Sequence, residues 1–525
     1  MRNMGYVTAA LLVFFAYWLL IMYLERRGAL QKFNISAVGP LLMIRTKRGQ
    51  RLLERLAVIR RLWRVYATLG IVFLCVAMLF MSLLLLYGNY AVLTEKPEPT
   101  ELNEPRNWLL IPGLNEFIPL WGWVGLLVAI IVHELSHAVL CRVEGIEVKS
   151  MGLLVALLPI GAFAEPDTEQ LFGTRNGGAK KVATPSERMR ILSAGVFGNF
   201  AISIIALLMF FAILSCVQPV SESVTLVHDV VVGSPAEAAG LRAGMLVKEV
   251  GGVGVESAKE ALDMLKRNEG GSVKIVVLSD GEEKELLLRS AAHGVMVAGV
   301  MDGYPAANAG IEPGMVISRI DNVEVRSLDD FLAFMRNTTP GQVVEIYVFD
   351  VAGHLRTSEV ELAAAPHGGS GFLGVEVVDN AFGVLILDFP LREYLEALKG
   401  VLPSLTSPLG WLRFMTMPLL PAPLGFSGFH PHLAAFYEVR GAGDAVLLIA
   451  DVLFWAAWIN FYVALFNCLP AVPLDGGLVF RDLLKPAVRT FAKGREEKIT
   501  KAISTALAVF IFTSIIFVAA GPYLL

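Results

Sequence analysis

Charge and cysteine are both scarce in this sequence. Only 18% of its 525 residues are charged while 55% are hydrophobic, and the mean hydropathy is +0.61. A soluble protein carries about 25% charged residues, so the composition excludes that class and indicates a chain that lies in a lipid bilayer. The formal net charge is −4 and no long basic stretch follows the first loop, which excludes a nucleic-acid partner. The four cysteines lack the close pairing of a zinc ribbon or redox motif.

Long apolar runs are plentiful, and six of them are long enough to cross a bilayer as helices. A helix of about 20 apolar residues rises about 30 Å, the thickness of the hydrocarbon core. The six runs are Met4 to Leu24, Tyr66 to Tyr87, Ile118 to Cys141, Ile191 to Val217, Ala445 to Phe466 and Ala502 to Leu524. The first is longer than a signal-peptide core and lacks a small-residue cleavage site, so we expect it to be retained as a span.

The charges of the loops predict an orientation. Eleven Arg and Lys residues lie between Arg26 and Arg64, and the positive-inside rule places this basic loop in the cytoplasm. With six spans, both termini then face outward. The acidic loop from Glu95 to Glu104 falls outside in this scheme. We expect a multi-pass protein of the plasma or cytoplasmic membrane.

A less apolar stretch from Gln218 to Pro366 separates the fourth and fifth spans. Its short, alternating hydrophobic runs predict a soluble α/β insert on the extracytoplasmic side. It contains two copies, 70 residues apart, of a motif that reads SPAEAAGL from Ser234 and YPAANAGI from Tyr304. Both copies resemble PDZ domains, which bind an extended peptide as an added strand. Met245 and Met315 stand where those domains usually have Asp, so peptide binding is a separate question from the fold.

The residues that carry chemistry begin with the motif HELSH, from His133 to His137. Two His four residues apart lie on one helical face, about 6 Å apart along the axis, where they can share one Zn²⁺. Glu134 lies beside them and can deprotonate a bound water, whose pKa the metal lowers to about 7. Polar side chains on a membrane-spanning helix indicate function. The alternative is that neighbouring helices satisfy these polar groups.

A catalytic zinc ion needs a third protein ligand. The other six His residues lie in the insert or in the connector after it, on the opposite side of the membrane, so a carboxylate has to serve. Asp475 follows the fifth span, after Pro470 and Pro473 have broken the helix. Broken backbone at membrane depth lines a cavity or packs on protein, and we therefore predict Asp475 as the ligand. The alternative is a simple helix-ending loop.

The HELSH helix, the pattern NxxPxxxxDG from Asn467 to Gly476 and the PDZ-like insert together resemble the site-2 protease family. The resemblance extends over nearly the whole chain. Members of that family are polytopic zinc enzymes of regulated intramembrane proteolysis, which typically act after a first cut by another protease. The resemblance implies one Zn²⁺ per chain on His133, His137 and Asp475, with Glu134 as the catalytic base.

The resemblance extends to three further residues and one segment. Asn467 and Pro470 occupy positions that the family uses in substrate handling, and Asn199 ends a GxxxN element in the fourth span. Asn199 could hydrogen-bond a substrate backbone or an oxyanion, or make one polar contact in a small-residue packing face. The stretch Gly145 to Glu165 corresponds to a membrane-associated β-hairpin that pairs with an extended substrate, or it plugs the cavity mouth.

We therefore predict a polytopic α-helical membrane protein of about six transmembrane helices, with an inserted extracytoplasmic α/β region of two PDZ-like domains. Its parts are the first helix and basic loop (1–65), a core with the zinc-motif helix and hairpin (66–217), the two PDZ-like domains (218–292 and 293–366), an amphipathic connector (367–443), and a core with the third ligand and last helix (444–525). Within the connector, Leu391 to Leu420 is expected to be interfacial, or else a covering element.

The predicted function is an intramembrane zinc metalloprotease that cuts single-span membrane proteins, with its active site toward the cytoplasm. The PDZ-like domains would take peptide ends or other extracytoplasmic ligands. The main alternative is a PDZ-based membrane scaffold with a structural or vestigial metal site, which would need a fourth protein ligand such as Cys468 or Cys141. A transporter is disfavoured because the spans contain no repeated half.

Overall fold

The structure is a computed structural model that describes residues 2–46, 49–100, 103–108, 111–115, 117–156, 158–173, 181–279, 282–290, 292–365, 369–420, 425–429, 433–441, 443 and 445–524. The chain forms two compact units. The first, called the membrane unit, comprises Met1–Ser215, Leu412–Gly428 and Leu448–Leu525. The second, called the insert unit, comprises Cys216–Trp411 and Phe429–Leu447.

Helices and strands alternate in blocks along the chain. The helices are α1 (Arg2–Arg26), α2 (Gly49–Leu56), α3 (Arg60–Glu95), α4 (Gly122–Glu144), α5 (Thr168–Phe172), α6 (Pro185–Cys216), α7 (Pro235–Ala238), α8 (Ala258–Arg267), α9 (Pro305–Asn308), α10 (Leu328–Arg336), α11 (Leu391–Lys399), α12 (Val401–Ser404), α13 (Pro408–Thr416), α14 (Ala445–Asn467), α15 (Asp475–Phe491) and α16 (Glu496–Leu524). The strands are β1 (Ile35–Val38), β2 (Leu41–Thr46), β3 (Val148–Ala156), β4 (Leu158–Pro166), β5 (Val217–Pro219), β6 (Val224–Val230), β7 (Leu246–Val250), β8 (Val253–Gly254), β9 (Ser272–Ser279), β10 (Glu282–Arg289), β11 (Val295–Val300), β12 (Val316–Ile320), β13 (Val323–Glu324), β14 (Val343–Phe349), β15 (Leu355–Glu361), β16 (Ala363–Ala364), β17 (Gly371–Phe372), β18 (Val375–Asp379), β19 (Val384–Phe389) and β20 (Tyr437–Val439).

Within the described residues, five helices are long and apolar enough to cross a membrane, namely α3, α4, α6, α14 and α16. They coincide with the last five predicted spans. Leu69, Val76 and Leu79 of α3 are exposed on the surface of the unit, which is typical of side chains that face lipid. The first predicted span, Met4 to Leu24, lies within α1, whose side chains are described from Phe14 onward. As a span it stays a prediction.

The membrane unit also holds an antiparallel sheet in the order β1-β2-β3-β4. β3 and β4 form the hairpin predicted for the stretch Gly145 to Glu165, and the second strand ends one residue later, at Pro166. The basic loop supplies a second hairpin, β1 and β2, which its charge pattern did not predict. Gly152 lies where β2 and β3 meet, and a Cβ there would overlap the Ile44 carbonyl and the Phe163 ring. Only glycine fits at this position.

The insert unit contains two modules with the same strand order. The first module has the sheet β10-β9-β7-β6-β19, and the second has β15-β14-β12-β11-β18. Each has one longer helix, α8 in the first and α10 in the second, with Ser257 and Ser327 as their N-caps. The 70-residue repeat of the sequence is therefore also a repeat of the fold.

The second module is nested inside the first. β19, which closes the first sheet by pairing with β6, follows β18, which closes the second sheet by pairing with β11. Residues 292–380 thus form an insertion between β10 and β19. This arrangement differs from the predicted parts 218–292, 293–366 and 367–443, because β17, β18 and β19 all lie beyond residue 366. The 70-residue spacing of the sequence motif does not show to which module's sheet a strand beyond the second copy belongs.

Each module packs its own hydrophobic core at equivalent positions. Equivalent buried pairs are Ala236 and Ala306, Leu241 and Ile311, Val247 and Ile317, and Val250 and Ile320. Met245 and Met315, at the usual Asp position, are 8% and 3% exposed and belong to these cores. A carboxylate at either position would lose its hydration, whereas Met adds apolar contact. Both Met side chains therefore form part of the apolar core of their module.

The connector after β19 consists of α11, α12 and α13. α11 is amphipathic and buries one face, made of Leu391, Tyr394, Leu395 and Leu398. α13 exposes Leu409, Trp411 and Leu412, which are 74%, 49% and 58% exposed. An exposed Trp among exposed Leu residues is typical of a segment at a membrane interface. Within Leu391 to Leu420, this favours the interfacial interpretation for α13, whereas the buried face of α11 agrees with the covering alternative.

Candidate metal centre

Helix α4 carries the HELSH motif. His133 and His137 lie one turn apart, and their Nε2 atoms are 3.1 Å from each other. Gly125 brings α4 against α14, because a Cβ there would lie 2.9 Å from the Ala456 Cα. The helix ends at Gly145, whose φ of +75° only glycine adopts readily. The close contact at Gly125 therefore places α14 beside the motif helix.

Asp475 is the first residue of α15 and follows the broken segment after α14. Its Oδ2 atom lies 3.0 Å from His133 Nε2 and 3.3 Å from His137 Nε2. Gly476 and Gly477 come next, and a Cβ on either would overlap backbone atoms of residues 468–472. The chain can fold back this tightly only with glycine. Prolines before Asp475 and glycines after it together present its carboxylate to the two imidazoles.

The three atoms form a triangle with sides of 3.0, 3.1 and 3.3 Å. Atoms that bind one Zn²⁺ tetrahedrally at about 2.0 to 2.1 Å lie about 3.3 Å apart, so the triangle fits a zinc ion. Asp475 Oδ2 is buried and has no hydrogen-bond partner in the described part of the structure. In that part of the chain, no other group of three or more His, Cys, Asp or Glu side chains brings its ligand atoms this close together. The three atoms converge on a shared point.

Helix α6 contacts the outer nitrogen of both imidazoles. His137 Nδ1 donates to the Ile191 carbonyl at 2.7 Å. Because its proton is on Nδ1, the Nε2 atom keeps its lone pair for a metal. The Asn199 side-chain nitrogen lies 3.5 Å from His133 Nδ1. Between these contacts, a Cβ at Gly195 would lie 2.5 Å from His137 Nε2, so the first residue of the GxxxN element makes room for the site.

Glu134 is held by the sheet. Its Oε2 atom accepts a hydrogen bond from the Ala164 backbone N–H of β4 at 3.1 Å. β4 is an edge strand of its sheet in the described structure. An edge strand offers backbone groups to an extended peptide. The structure thus brings the predicted base next to an edge strand, and the pairing of that strand with a substrate stays a prediction.

Asn467 and Pro470 lie at the end of α14 and just beyond it. Asn467 Nδ2 donates to the Val463 carbonyl of its own helix at 3.0 Å. Pro470 is buried in the broken segment. No described hydrogen bond joins Asn467 to the three candidate ligands, so its role in substrate handling, like that of Pro470, stays a prediction.

Two ion pairs close to the site have no counterpart in the sequence-based predictions. Arg188 donates to Asp482 with Nε and Nη2, each at 2.6 Å, and Arg190 Nε donates to Glu144 at 2.7 Å. In the sequence both arginines are simply positive residues at a helix end that the loop charges place on the cytoplasmic side. Charge alone does not distinguish a paired arginine from a solvated one.

Comparison with known families agrees with this site. The model of Peptidase family M50 matches residues 121–420 and 427–511, which include the HELSH helix and Asp475. The chain belongs to peptidase family M50. The resemblance to site-2 proteases is thereby confirmed, and membership supports a membrane-embedded metallopeptidase. Residues 121–420 of this M50 peptidase also include both modules of the insert unit.

Similar proteins cover parts of this M50 peptidase. An uncharacterized protein of Methanocaldococcus jannaschii, MJ0971, is 29% identical over 272 residues, which are 50% of this chain and 65% of that protein. The serine protease PepD of Mycobacterium tuberculosis is 35% identical over 72 residues, which are 14% of this chain and 16% of PepD. The chain thus spans less than two thirds of the length of either relative.

One solved structure matches part of this chain. The PDZ domain of the SdrC-like protein from Listeria monocytogenes is 24% identical and covers 17% of this chain and 94% of that domain, with a TM-score of 0.16. A TM-score this low carries no argument by itself. The two modules are PDZ-like on the strength of their repeated motif and their shared strand order.

Proposed function

We propose that this M50 peptidase is an intramembrane zinc metalloendopeptidase of the site-2 type, which hydrolyses peptide bonds of single-span membrane proteins. The observation that carries the proposal is the convergence of Asp475 of α15 on His133 and His137, which lie beside Glu134 on a helix able to cross a membrane. One Zn²⁺ per chain, held by these three residues, supplies a Lewis acid and a water that ionises near neutral pH.

Glu134 acts as the general base in this proposal. Its carboxylate takes a proton from the attacking water and then gives that proton to the leaving amide nitrogen. The Ala164 N–H bond to Oε2 keeps the carboxylate oriented while it does so. Ile191 fixes the tautomer of His137. The Asn199 amide, with its oxygen turned toward His133 Nδ1, would accept the proton of that ring and fix the second tautomer.

The substrate has to be extended where it is cut, because a helix shields its peptide bonds with intrahelical hydrogen bonds. β4 supports such a substrate, since an unwound segment can add to its edge next to Glu134. We propose that this pairing aligns the scissile bond with the metal centre. The same edge explains why a hairpin lies directly after the motif helix.

The proposed orientation follows the loop charges. Both termini and the PDZ-like modules lie outside the cytoplasm, and the metal centre lies toward the cytoplasmic side. β18 and β19 are edge strands of their sheets in the described structure, which suits strand addition of a peptide end. In this proposal the modules select substrates after a first cut by another protease, while the membrane unit performs the hydrolysis.

A scaffold with a closed structural zinc site is the competing function. A closed site needs four protein ligands, whereas the cluster in the described residues has three, and neither Cys468 nor Cys141 belongs to it. Three ligands leave one position for water. This difference favours the protease.

The test uses the full chain purified in detergent. Zinc is measured by mass spectrometry, and cleavage is measured on a single-span model substrate, for the wild type, Glu134→Gln and the control Glu147→Gln. Glu147 is exposed just beyond α4. We expect one zinc in all three proteins, and a loss of cleavage of about 10² to 10⁴-fold in Glu134→Gln alone. Unchanged cleavage in Glu134→Gln would sink the mechanism, and bound zinc without any Glu134-dependent cleavage would favour the scaffold.

A further inference from the structure

The two helices that carry the proposed ligands share a feature that the proposed reaction does not use. On each helix, an acidic residue follows the last ligand by seven residues, Glu144 after His137 on α4 and Asp482 after Asp475 on α15. Seven residues are two turns, so each acid lies on nearly the same helical face as its ligand, about 10 Å farther along. Both carboxylates are buried, with side chains 0% and 8% exposed.

Both acids bind arginines of one third helix, α6. Arg188 forms a two-point contact with Asp482, Nε to Oδ2 and Nη2 to Oδ1, each at 2.6 Å. Arg190 Nε donates to Glu144 Oε1 at 2.7 Å. The arginine side chains are only 13% and 21% exposed. Arg64 of α3 adds a more exposed contact to Glu144 at 3.1 Å. These ion pairs therefore join both α4 and α15 to neighbouring residues of α6.

The same helix contacts the imidazoles themselves. Ile191, three residues after Arg188, accepts the hydrogen bond from His137 Nδ1, and Gly195 lies against both rings. α6 thus contacts the two histidines directly and holds the helix of Asp475 through Arg188. From these contacts we infer that Arg188 and Arg190 are positioning residues that set the distance between Asp475 and the two histidines. This inference rests on the proposed metal centre.

The histidines and Asp475 differ in what fixes them. The two histidines keep their spacing because they share one helix. Asp475 arrives on a separate helix after a broken segment, so its position depends on what α15 is attached to. The other described ion pairs of α15, Arg481 and Lys485 with Glu497 of α16, have side chains 38%, 47% and 65% exposed. Exposed pairs of this kind hold a helix weakly, whereas a buried two-point pair resists displacement because separation leaves an unpaired charge.

The experiment measures how fast zinc leaves the purified full chain when a chelator is added, at a temperature well below unfolding. The variants are Asp482→Asn, Arg188→Lys, and Arg188→Asp combined with Asp482→Arg. The control is Glu497→Gln on α16, which removes only the exposed ion pairs of α15. We expect zinc loss about tenfold faster in Asp482→Asn, the size of effect seen for outer partners of metal ligands. Arg188→Lys keeps the charge but not the two-point contact, so its rate of zinc loss should lie between those of the wild type and Asp482→Asn. The reversed pair should recover part of the loss, and Glu497→Gln should match the wild type.

Thermal unfolding of the zinc-free variants separates positioning from general stability. A merely structural pair would lower the unfolding temperature of the zinc-free protein without changing zinc release. Wild-type release rates in both Asp482→Asn and Arg188→Lys would overturn the inference, and if Asp482→Asn does not fold, Arg188→Lys and the reversed pair decide. A wild-type chain that holds no zinc would instead refute the proposed function, so the two failures are distinguishable.

Discussion

The two units of this M50 peptidase bury charge differently. Among the acidic residues that the structure describes, Glu144, Asp451 and Asp482 are buried in the membrane unit, and Glu269 is buried in the insert unit. A buried charge requires a specific partner, while apolar cores tolerate exchange of residues of similar volume. The membrane unit therefore depends on individual atoms at fixed distances. The insert unit depends instead on apolar residues of suitable volume at regular positions, and its two modules fill equivalent core positions with different apolar side chains.

The largest effect that would sharpen this comparison is removal of a ligand. His137→Ala or Asp475→Asn should abolish stoichiometric zinc binding and cleavage together, a change exceeding the about 100-fold typical of outer partners. His293→Ala is the control, because that side chain is 63% exposed in the insert unit. Zinc analysis after gel filtration measures the outcome. Full zinc occupancy in both ligand variants would contradict the assignment of the site.

A charge placed in a core of the insert unit should destabilise that unit without affecting zinc binding by the membrane unit. Met315→Asp puts an unpaired carboxylate where the side chain is 3% exposed, and should destabilise the second module by about 3 to 5 kcal/mol. Met301→Asp is the matched control, since Met301 is 48% exposed in the same module. Hydrogen exchange of β11 and β14 reports the result. Zinc binding by the membrane unit should persist in both variants, and equal exchange in the two would refute the core assignment of Met315.

Deletion of the nested module should have a smaller effect on chemistry. Removing residues 292–380 leaves every strand of the first sheet, because β19 remains to pair with β6. Zinc content and cleavage of a short model substrate should stay within about threefold of the wild type, while the choice between long and short substrates changes. Removing 293–366 instead leaves β17 and β18 without partners, and that variant should aggregate. Loss of short-substrate cleavage in the first deletion would mean that the modules belong to the catalytic machinery.

The smallest expected effect concerns Glu269, a buried acid of the insert unit. Glu269 Oε1 accepts a hydrogen bond from the Ala381 N–H at 2.9 Å. Burial raises the pKa of Glu269 from 4.5 to about 7. The positive charge of Lys266 opposes this rise in pKa, and the negative charge of Asp379 adds to it. The folded state therefore binds this proton more tightly than the unfolded state, so its stability falls as pH rises from 4.5 to 7. Glu269→Gln should flatten that dependence. The exchange rate of residues 379–384 at pH 5 and 8 measures it, with Glu256→Gln as the exposed control. An unchanged pH dependence in Glu269→Gln would place the titrating group elsewhere.

Local patterns in the sequence predicted most of the site. The spacing of His133 and His137 is a property of one helix turn, and the break that presents Asp475 is visible as two prolines. Five of the spans follow from apolar length alone. What the sequence did not reveal depends on contacts between distant segments. The pairing of β2 with β3, of β19 with β6 and of Arg188 with Asp482 joins residues about 100 to 300 positions apart, and no short-range period records such pairs.

The nesting of the second module has a mechanical consequence. Two chain crossings join the modules, one between β10 and β11 and one through residues 380–383 between β18 and β19. Val295 and Asp379, at the module end of each crossing, are paired neighbours in the sheet. A module held by a single chain crossing can rotate about it, whereas one held by two adjacent crossings resists that rotation. A peptide that pulls on the second module would therefore load the first sheet at two strands together, at β10 and at β19.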